Sequence, residues 1–235
     1  MGTVKKIFIV HGWTYTTNKW DEFVAILRSA GFEPMMLQVP GLTEATDKVW
    51  TLDDYMEWLK EKLQNQDNPV VVAHSNGGRI AIALAAKHSQ IISRLILVSS
   101  AGIRHNELPI KIKRAVFGTA AKLGKKITSS TLLRKFLYKL AGENDYKNAT
   151  ESMRKTMANL ISIDLTSELS KISTPTLIIW GANDKATPVS DGKLMQKLIT
   201  GSKLHIIEKA AHSPHFTHAK EVSEKILNFI KQNGF

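Results

Sequence analysis

The sequence predicts an α/β protein built on a mainly parallel sheet, and two observations lead to it. Six short apolar runs recur along the chain, "KKIFIV", "EPMMLQV", "PVVVA", "SRLILVSS", "TPTLIIWG" and "KLHIIEKA", and helix-length segments separate most of them. Polar or glycine-bearing clusters stand just after four of the runs, at "HGW", "HSNGG", "GAND" and "AHSPH". In an open parallel sheet ligands gather at the carboxyl ends of the strands, so those clusters are where a site is expected.

The elements follow in order. After the first strand, "NKWDEFVAILRSAG" reads as a helix that Asn18 caps and Gly31 stops. The second strand is expected near an exposed edge. Helices at "LDDYMEWLKEKLQ" and "GRIAIALAAKH" flank the third strand, and "SDGKLMQKLI" and "AKEVSEKILNFIKQ" follow the fifth and sixth. The alternation breaks between the fourth and fifth strands. That gap reads as three helices, at "PIKIKRAVFGTAAKLGKK", "SSTLLRKFLYKLAG" and "NATESMRKTMANLI", the last opening on a cap-like Asn148 and Glu151. An insertion at a strand's carboxyl end lands over the site as a cap. The expected organisation is therefore an α/β core at 1–102 and 171–235, with a helical cap at 103–170 and about six strands in the sheet.

At 235 residues and 43% hydrophobic content the chain can bury one substantial core. It contains no cysteine, which excludes disulfides, thiolate metal ligands and cysteine nucleophiles. "KKIFIVHG" holds an apolar run of only four residues before His11, too short for a signal-peptide core, and no run reaches the length of a membrane span. The expected setting is the cytoplasm, with no transmembrane segment. The formal net charge is +11, and much of it sits in one place: Arg104 to Lys139 carries ten lysines and arginines against the single acid Glu107.

The stretch "VVVAHSNGGRIAIAL" carries the chemistry. A buried strand runs into a helix through Ser75, and Ala73, Gly77 and Gly78 leave room for a tight corner that lifts the serine hydroxyl above the sheet. An ordinary capping serine is the plain alternative for such a turn. A serine hydroxyl needs a base, an acid to orient the base, and donors for an oxyanion. His212 follows the last strand and Asp184 the fifth, so each can converge on Ser75; the fourth strand ends "VSSAG" with no acid. The natural oxyanion donors are the backbone N–H of Asn76, directly after the nucleophile, and that of Trp13 after the first strand.

The ordered set His11-Gly12-Trp13, Ala73-His74-Ser75-Asn76-Gly77-Gly78, Gly181-Ala182-Asn183-Asp184 and His212 resembles the α/β-hydrolase family over nearly the whole chain. The resemblance implies Ser75 as nucleophile, Asp184 as acid, His212 as base, Trp13 and Asn76 as oxyanion donors, and His11 and Gly12 in the oxyanion loop. It also implies a helical cap and no cofactor. Ala73 stands where glycine is commoner, and the chain starts at the strand that is third in the fuller family fold.

Other residues read more plainly. His215 and His218 lie near His212, but nothing at ligand spacing accompanies them, so no metal site is expected. His74 reads as packing beneath the nucleophile or as a site wall. Phe117, Phe136, Met153 and Met157 read first as cap packing and second as acyl-pocket lining. The expected function is hydrolysis of carboxylic esters through an acyl-enzyme, on a small-molecule ester substrate. Carbon-carbon bond hydrolysis or lactonase chemistry could use the same triad, and a ligand-binding receptor or signalling protein could keep the fold. The basic cap reads as a solvated face or as a docking surface for an anionic substrate, a carrier or a lipid surface, as a methyl esterase of the family uses basic cap residues for its acyl carrier protein. Nucleic acid is not the expected partner.

Overall fold

The computed structural model of the protein describes residues 5–104 and 149–232. Six strands form one sheet: β1 (Lys5–Val10), β2 (Phe32–Met36), β3 (Val70–His74), β4 (Arg94–Val98), β5 (Thr176–Gly181) and β6 (Lys203–Ile207). Their order is β2-β1-β3-β4-β5-β6 and every neighbouring pair is parallel. The chain runs from β1 out to β2, then crosses back to the other side of β1 and proceeds in one direction. The loops after β1 and β3 thus diverge at a topological switch point, the crevice where such sheets bind ligands.

The helices are α1 (Asp21–Ser29), α2 (Leu52–Leu63), α3 (Asn76–Lys87), α4 (Glu151–Ser162), α5 (Val189–Leu198), α6 (Pro214–Thr217) and α7 (Ala219–Gln232). They cover both faces of the sheet, which is why its central strands are almost wholly apolar rather than alternating. Side chains alternate between two cores. Phe8, Val10, Val71, Ala73, Leu95, Leu97, Ile178 and Trp180 pack toward α2, α3 and α5, while Ile7, Ile9, Val70, Val72, Ile96, Val98, Leu177 and Ile179 pack toward α1 and α7. β2 is an edge strand, as expected, and its Pro34, unable to donate to a ladder, is tolerated there.

Two helix starts differ from the sequence reading. Asn18 opens a 3-10 turn, Asn18–Trp20, and α1 begins at Asp21 with no side-chain cap; Trp20, 1% exposed, is drawn into the core and sets the start instead. The last helix of the gap begins after Thr150, whose hydroxyl accepts the Met153 N–H, rather than at Asn148. Asn148 and the first two helices expected there, with Phe117, Phe136 and the basic residues from Lys111 to Lys139, lie outside the described residues.

α2 carries a reciprocal cap that holds its first turn. Thr51 Oγ1 accepts the Asp54 N–H at 3.1 Å, and Asp54 Oδ2 accepts the Thr51 N–H at 2.8 Å. Lys48 and then Thr51 pull the Asp54 carboxyl down to about 2. Thr51→Ala should lower stability by about 1 kcal/mol, read as a smaller urea midpoint at unchanged slope.

The long excursion between β4 and β5 leaves and returns through one neck. Leu165 N–H donates to Gly102 O at 2.9 Å, Arg104 reaches Ser162 O with Nη1 at 3.0 Å, and its N–H meets Asp164 Oδ1 at 3.3 Å. Arg79, on α3 and 5% exposed, donates from Nη1 to Ile163 O at 2.7 Å. Burial pushes its guanidinium down to about 10, against the pull of Asp164. On its other side α4 sits against the loop after β2, where Thr156 Oγ1 accepts the Trp50 N–H at 2.9 Å. Met153 and Met157 are 1% and 2% exposed and belong to the α2–α3 core.

Candidate active site

Ser75 sits between β3 and α3 at φ +52°, ψ −116°, a conformation that costs a non-glycine residue about 1–3 kcal/mol and persists only when its surroundings fix it. They do. Ser75 N–H donates to Val98 O at 3.2 Å, and Ser75 O accepts from Ala101 N–H at 2.9 Å and Arg79 N–H at 3.3 Å. The corner also requires that the helix pass almost against β1. A Cβ on Gly77 would lie 2.2 Å from Val10 O and 2.7 Å from His11 O, so only glycine fits.

Above the corner three side chains connect. Ser75 Oγ–H donates to His212 Nε2 at 2.9 Å, and His212 Nδ1–H donates to Asp184 Oδ2 at 2.9 Å. Since a carboxylate only accepts, Asp184 fixes the tautomer that leaves Nε2 free to take the serine proton. Asp184 arrives here because the loops after β5 and β6 are laced together: Ala182 N–H donates to Ile207 O at 3.0 Å and Asn183 N–H to Ala210 O at 2.8 Å. The acid side chain is fully buried and that of His212 is 21% exposed. Burial pushes the Asp184 carboxyl up, but the bonds and charge of His212 and the two bonds from Thr187 prevail and hold it below the usual carboxylate range.

The loop after β1 lies against the serine. β1 and β3 are in register from Ile7↔Val70 to Val10↔Ala73, which carries Gly12 to the corner, where a Cβ would stand 2.9 Å from both Ser75 Cβ and His74 Nδ1. His11 staples this loop. Its Nδ1–H donates to Gly12 O at 2.8 Å and its Nε2 accepts from Thr43 Oγ1–H at 2.9 Å. Burial pushes the His11 imidazole down, so the neutral ring that this pairing needs is the stable form. The loop carries Trp13, 8% exposed, two residues beyond His11, and Asn76, the first residue of α3, has an N–H with no intrahelical acceptor.

Beneath the triad two more imidazoles are packed. His74 Nε2–H donates to His212 O at 3.0 Å, tying β3 to the loop that carries the base. Burial first, then the neighbouring His212, pushes the His74 ring down to about 3. His215 is wholly buried between Trp20, Phe216 and His74, at ring separations of 4.0, 4.0 and 4.4 Å, and burial drives it well below the ordinary imidazole value. Both rings therefore act as neutral packing. His218 lies aside, bonded to Thr217 Oγ1 at 2.8 Å. Among the described residues no group of three or more His, Cys, Asp or Glu has an arrangement that would hold a metal ion, and no helix is long and apolar enough to cross a membrane.

Three supporting residues escaped the sequence reading: Thr43 on His11, Arg79 at the neck, and Thr187 on Asp184. All three lie within or near quoted stretches, but their partners are set by loops meeting in space, and only Thr187, three residues after the acid, has a local spacing signal.

Comparison with known proteins agrees with this fold. Residues 3–218 match the family model described as serine aminopeptidase, S33. A biotin biosynthesis bifunctional protein of Teredinibacter turnerae is 26% identical over 97% of this chain, which spans only 45% of that longer protein. A pimeloyl-[acyl-carrier protein] methyl ester esterase of Nitrosomonas europaea is 24% identical, covering 94% of this chain and 93% of the relative. Among solved structures, an esterase from Exiguobacterium antarcticum superposes with a TM-score of 0.76 at 20% identity, over 98% of this chain and 93% of its own. At that identity the superposition speaks for the fold alone.

Proposed function

The chain belongs to the serine aminopeptidase S33 family of α/β-hydrolases, and from that premise we propose that it cleaves carboxylic esters through an acyl-enzyme on Ser75. The observation that carries the proposal is the pair of 2.9 Å bonds joining Ser75 Oγ to His212 Nε2 and His212 Nδ1 to Asp184 Oδ2 above a corner that only glycine at 77 permits. Ser75 Oγ attacks the carbonyl carbon as its proton passes to Nε2, and the N–H groups of Trp13 and Asn76 hold the oxyanion. Collapse expels the alcohol, which takes the proton from Nε2. Water then gives a proton to Nε2 as it attacks the acyl carbon, and collapse releases the acid as Nε2 returns that proton to Ser75 Oγ.

The substrate class rests on the ester hydrolases among the relatives. The finer choice is an acyl ester borne on an anionic carrier, supported by the excess of basic residues between Arg104 and Lys139. The test is a panel of short-chain p-nitrophenyl esters, a lactone, a vinylogous diketone, an aminoacyl p-nitroanilide and a carrier-bound methyl ester at low and high salt. It is run beside labelling with a serine-directed phosphonate. Ester turnover with labelling at Ser75 supports the proposal, and salt-sensitive KM for the carrier-bound ester alone supports the finer choice. Faster cleavage of the anilide, the diketone or the lactone than of any ester would replace it, and labelling without turnover of any substrate would make the protein a binder.

A further inference from the structure

We propose that the Thr187 hydroxyl is a positioning residue that sets how tightly His212 holds its proton, acting through Asp184. The inference deepens the triad reading and rests on it. Asp184 receives four bonds, and they divide between its two oxygens. Oδ1 accepts the N–H groups of Ala186 at 2.8 Å and Thr187 at 3.0 Å, which fix the plane of the carboxylate. Oδ2, the oxygen that faces the base, accepts His212 Nδ1–H at 2.9 Å and Thr187 Oγ1–H at 2.9 Å. Thr187 Oγ1 also stands 3.3 Å from His212 Nδ1, so the hydroxyl lies in the elbow between acid and base.

The hydroxyl has one proton and two acceptors, Asp184 Oδ2 and, at 3.2 Å, Ser99 O. The carboxylate is closer and charged, so it takes the proton; charge-assisted bonds are the stronger kind. The residue is 5% exposed, so water does not substitute readily for the group. A donor on Oδ2 draws off part of the negative charge that would otherwise face Nδ1–H. With less charge opposite, the imidazolium is stabilised less and Nε2 gives up its proton at lower pH. Without the hydroxyl, the charge on Oδ2 concentrates toward the ring, the imidazolium is held more strongly, and a higher pH is needed to free the base.

The titratable groups that face His212 are Asp184 from the loop after β5, His74 at the end of β3, 4.9 Å away between rings, and His215 in α6. His11 bears on His74 from the loop after β1. Burial keeps His74 neutral down to about 3 and His215 neutral well into the acid, so neither produces the acid limb of a profile near neutrality.

The experiment measures kcat and KM for a p-nitrophenyl ester between about pH 5 and 9 for the wild type, Thr187→Val and Thr187→Ser, after Ser75→Ala and phosphonate labelling have established the nucleophile. That first step separates failure of the triad reading from failure of this one. Thr187→Val should move the acid limb of kcat upward by roughly half a unit to one unit, a loss of about three- to tenfold on the limb, with the rate near pH 9 within about threefold of the wild type and KM unchanged. Thr187→Ser, which keeps the hydroxyl, should restore the wild-type limb. Should the valine variant not fold, Thr187→Ala removes the same hydroxyl and adds no atoms. A uniform loss at every pH with the limb in place, or an equal displacement in the serine variant, would overturn the proposal in favour of packing alone.

Discussion

Replacing Ser75 with alanine should leave a folded protein whose ester turnover has dropped by roughly 10³-fold or more, with Asp184→Asn and His212→Ala falling in the same range. Alanine keeps the Cβ and the backbone demand of the corner, so the bonds from Val98, Ala101 and Arg79 survive and the melting temperature should stay within a few degrees. What disappears is the hydroxyl that, among the described residues, meets His212 Nε2. Asp184→Asn has a different effect from the same cause: an amide can present a donor to Nδ1, which turns the ring to the tautomer that cannot take the serine proton. The three losses should not add, since each disables one proton-transfer unit; a double variant should be about as slow as the worse single one. Near-wild-type turnover in Asp184→Asn would remove that residue from its role, and labelling of Ser75→Ala by the phosphonate would remove Ser75.

The fold was legible because both faces of the sheet are covered. Continuous apolar runs such as "VVVA" and "TLIIW" stand out where every side chain is buried, and the helices between them have clear apolar stripes. The meeting of Ser75, Asp184 and His212 was legible for a different reason: each follows a strand terminus, and in a parallel sheet all such ends face the same way. Ser75 and His212, 137 residues apart, needed only that rule to be brought together. Finer features resisted it. Asn18 has the chemistry of a cap, yet the burial of Trp20 fixes where α1 starts; Thr51 and Asp54 spell a reciprocal cap that went unread beside the stronger apolar signal of α2. His215, where no metal was expected, is enclosed by Trp20, Phe216 and His74, a packing that residue type alone does not reveal.

Gly77→Ala should damage stability and activity together. Its Cβ would meet Val10 O at 2.2 Å and His11 O at 2.7 Å, and those are backbone atoms at the end of a central strand, which have no rotamer to escape into. Either α3 retreats from the sheet or β1 and the His11-Gly12-Trp13 loop move away. Both outcomes separate Ser75 from the loop after β1, which Gly12 holds against it. Overpacking of this kind costs about 1–3 kcal/mol or more, and a displacement near 1 Å at the reacting centre costs on the order of 10² in rate. A urea titration and kcat for the same ester measure the two effects. Wild-type values in both would mean that the corner is looser than the contacts of Gly77 require.

The neck between β4 and β5 bears on how such a protein changes over evolutionary time. The two ends of the excursion are clasped by Leu165 on Gly102, Arg104 on Ser162, and Arg79 on Ile163. The sheet therefore meets the two ends of the excursion as one closed stem. Within the excursion α4 still reaches the core through Met153, Met157 and Leu160, so a change there is not free of the fold. Arg79, rooted in the helix that Ser75 opens, ties that stem to the corner, so the clasp and the corner are bound to change together.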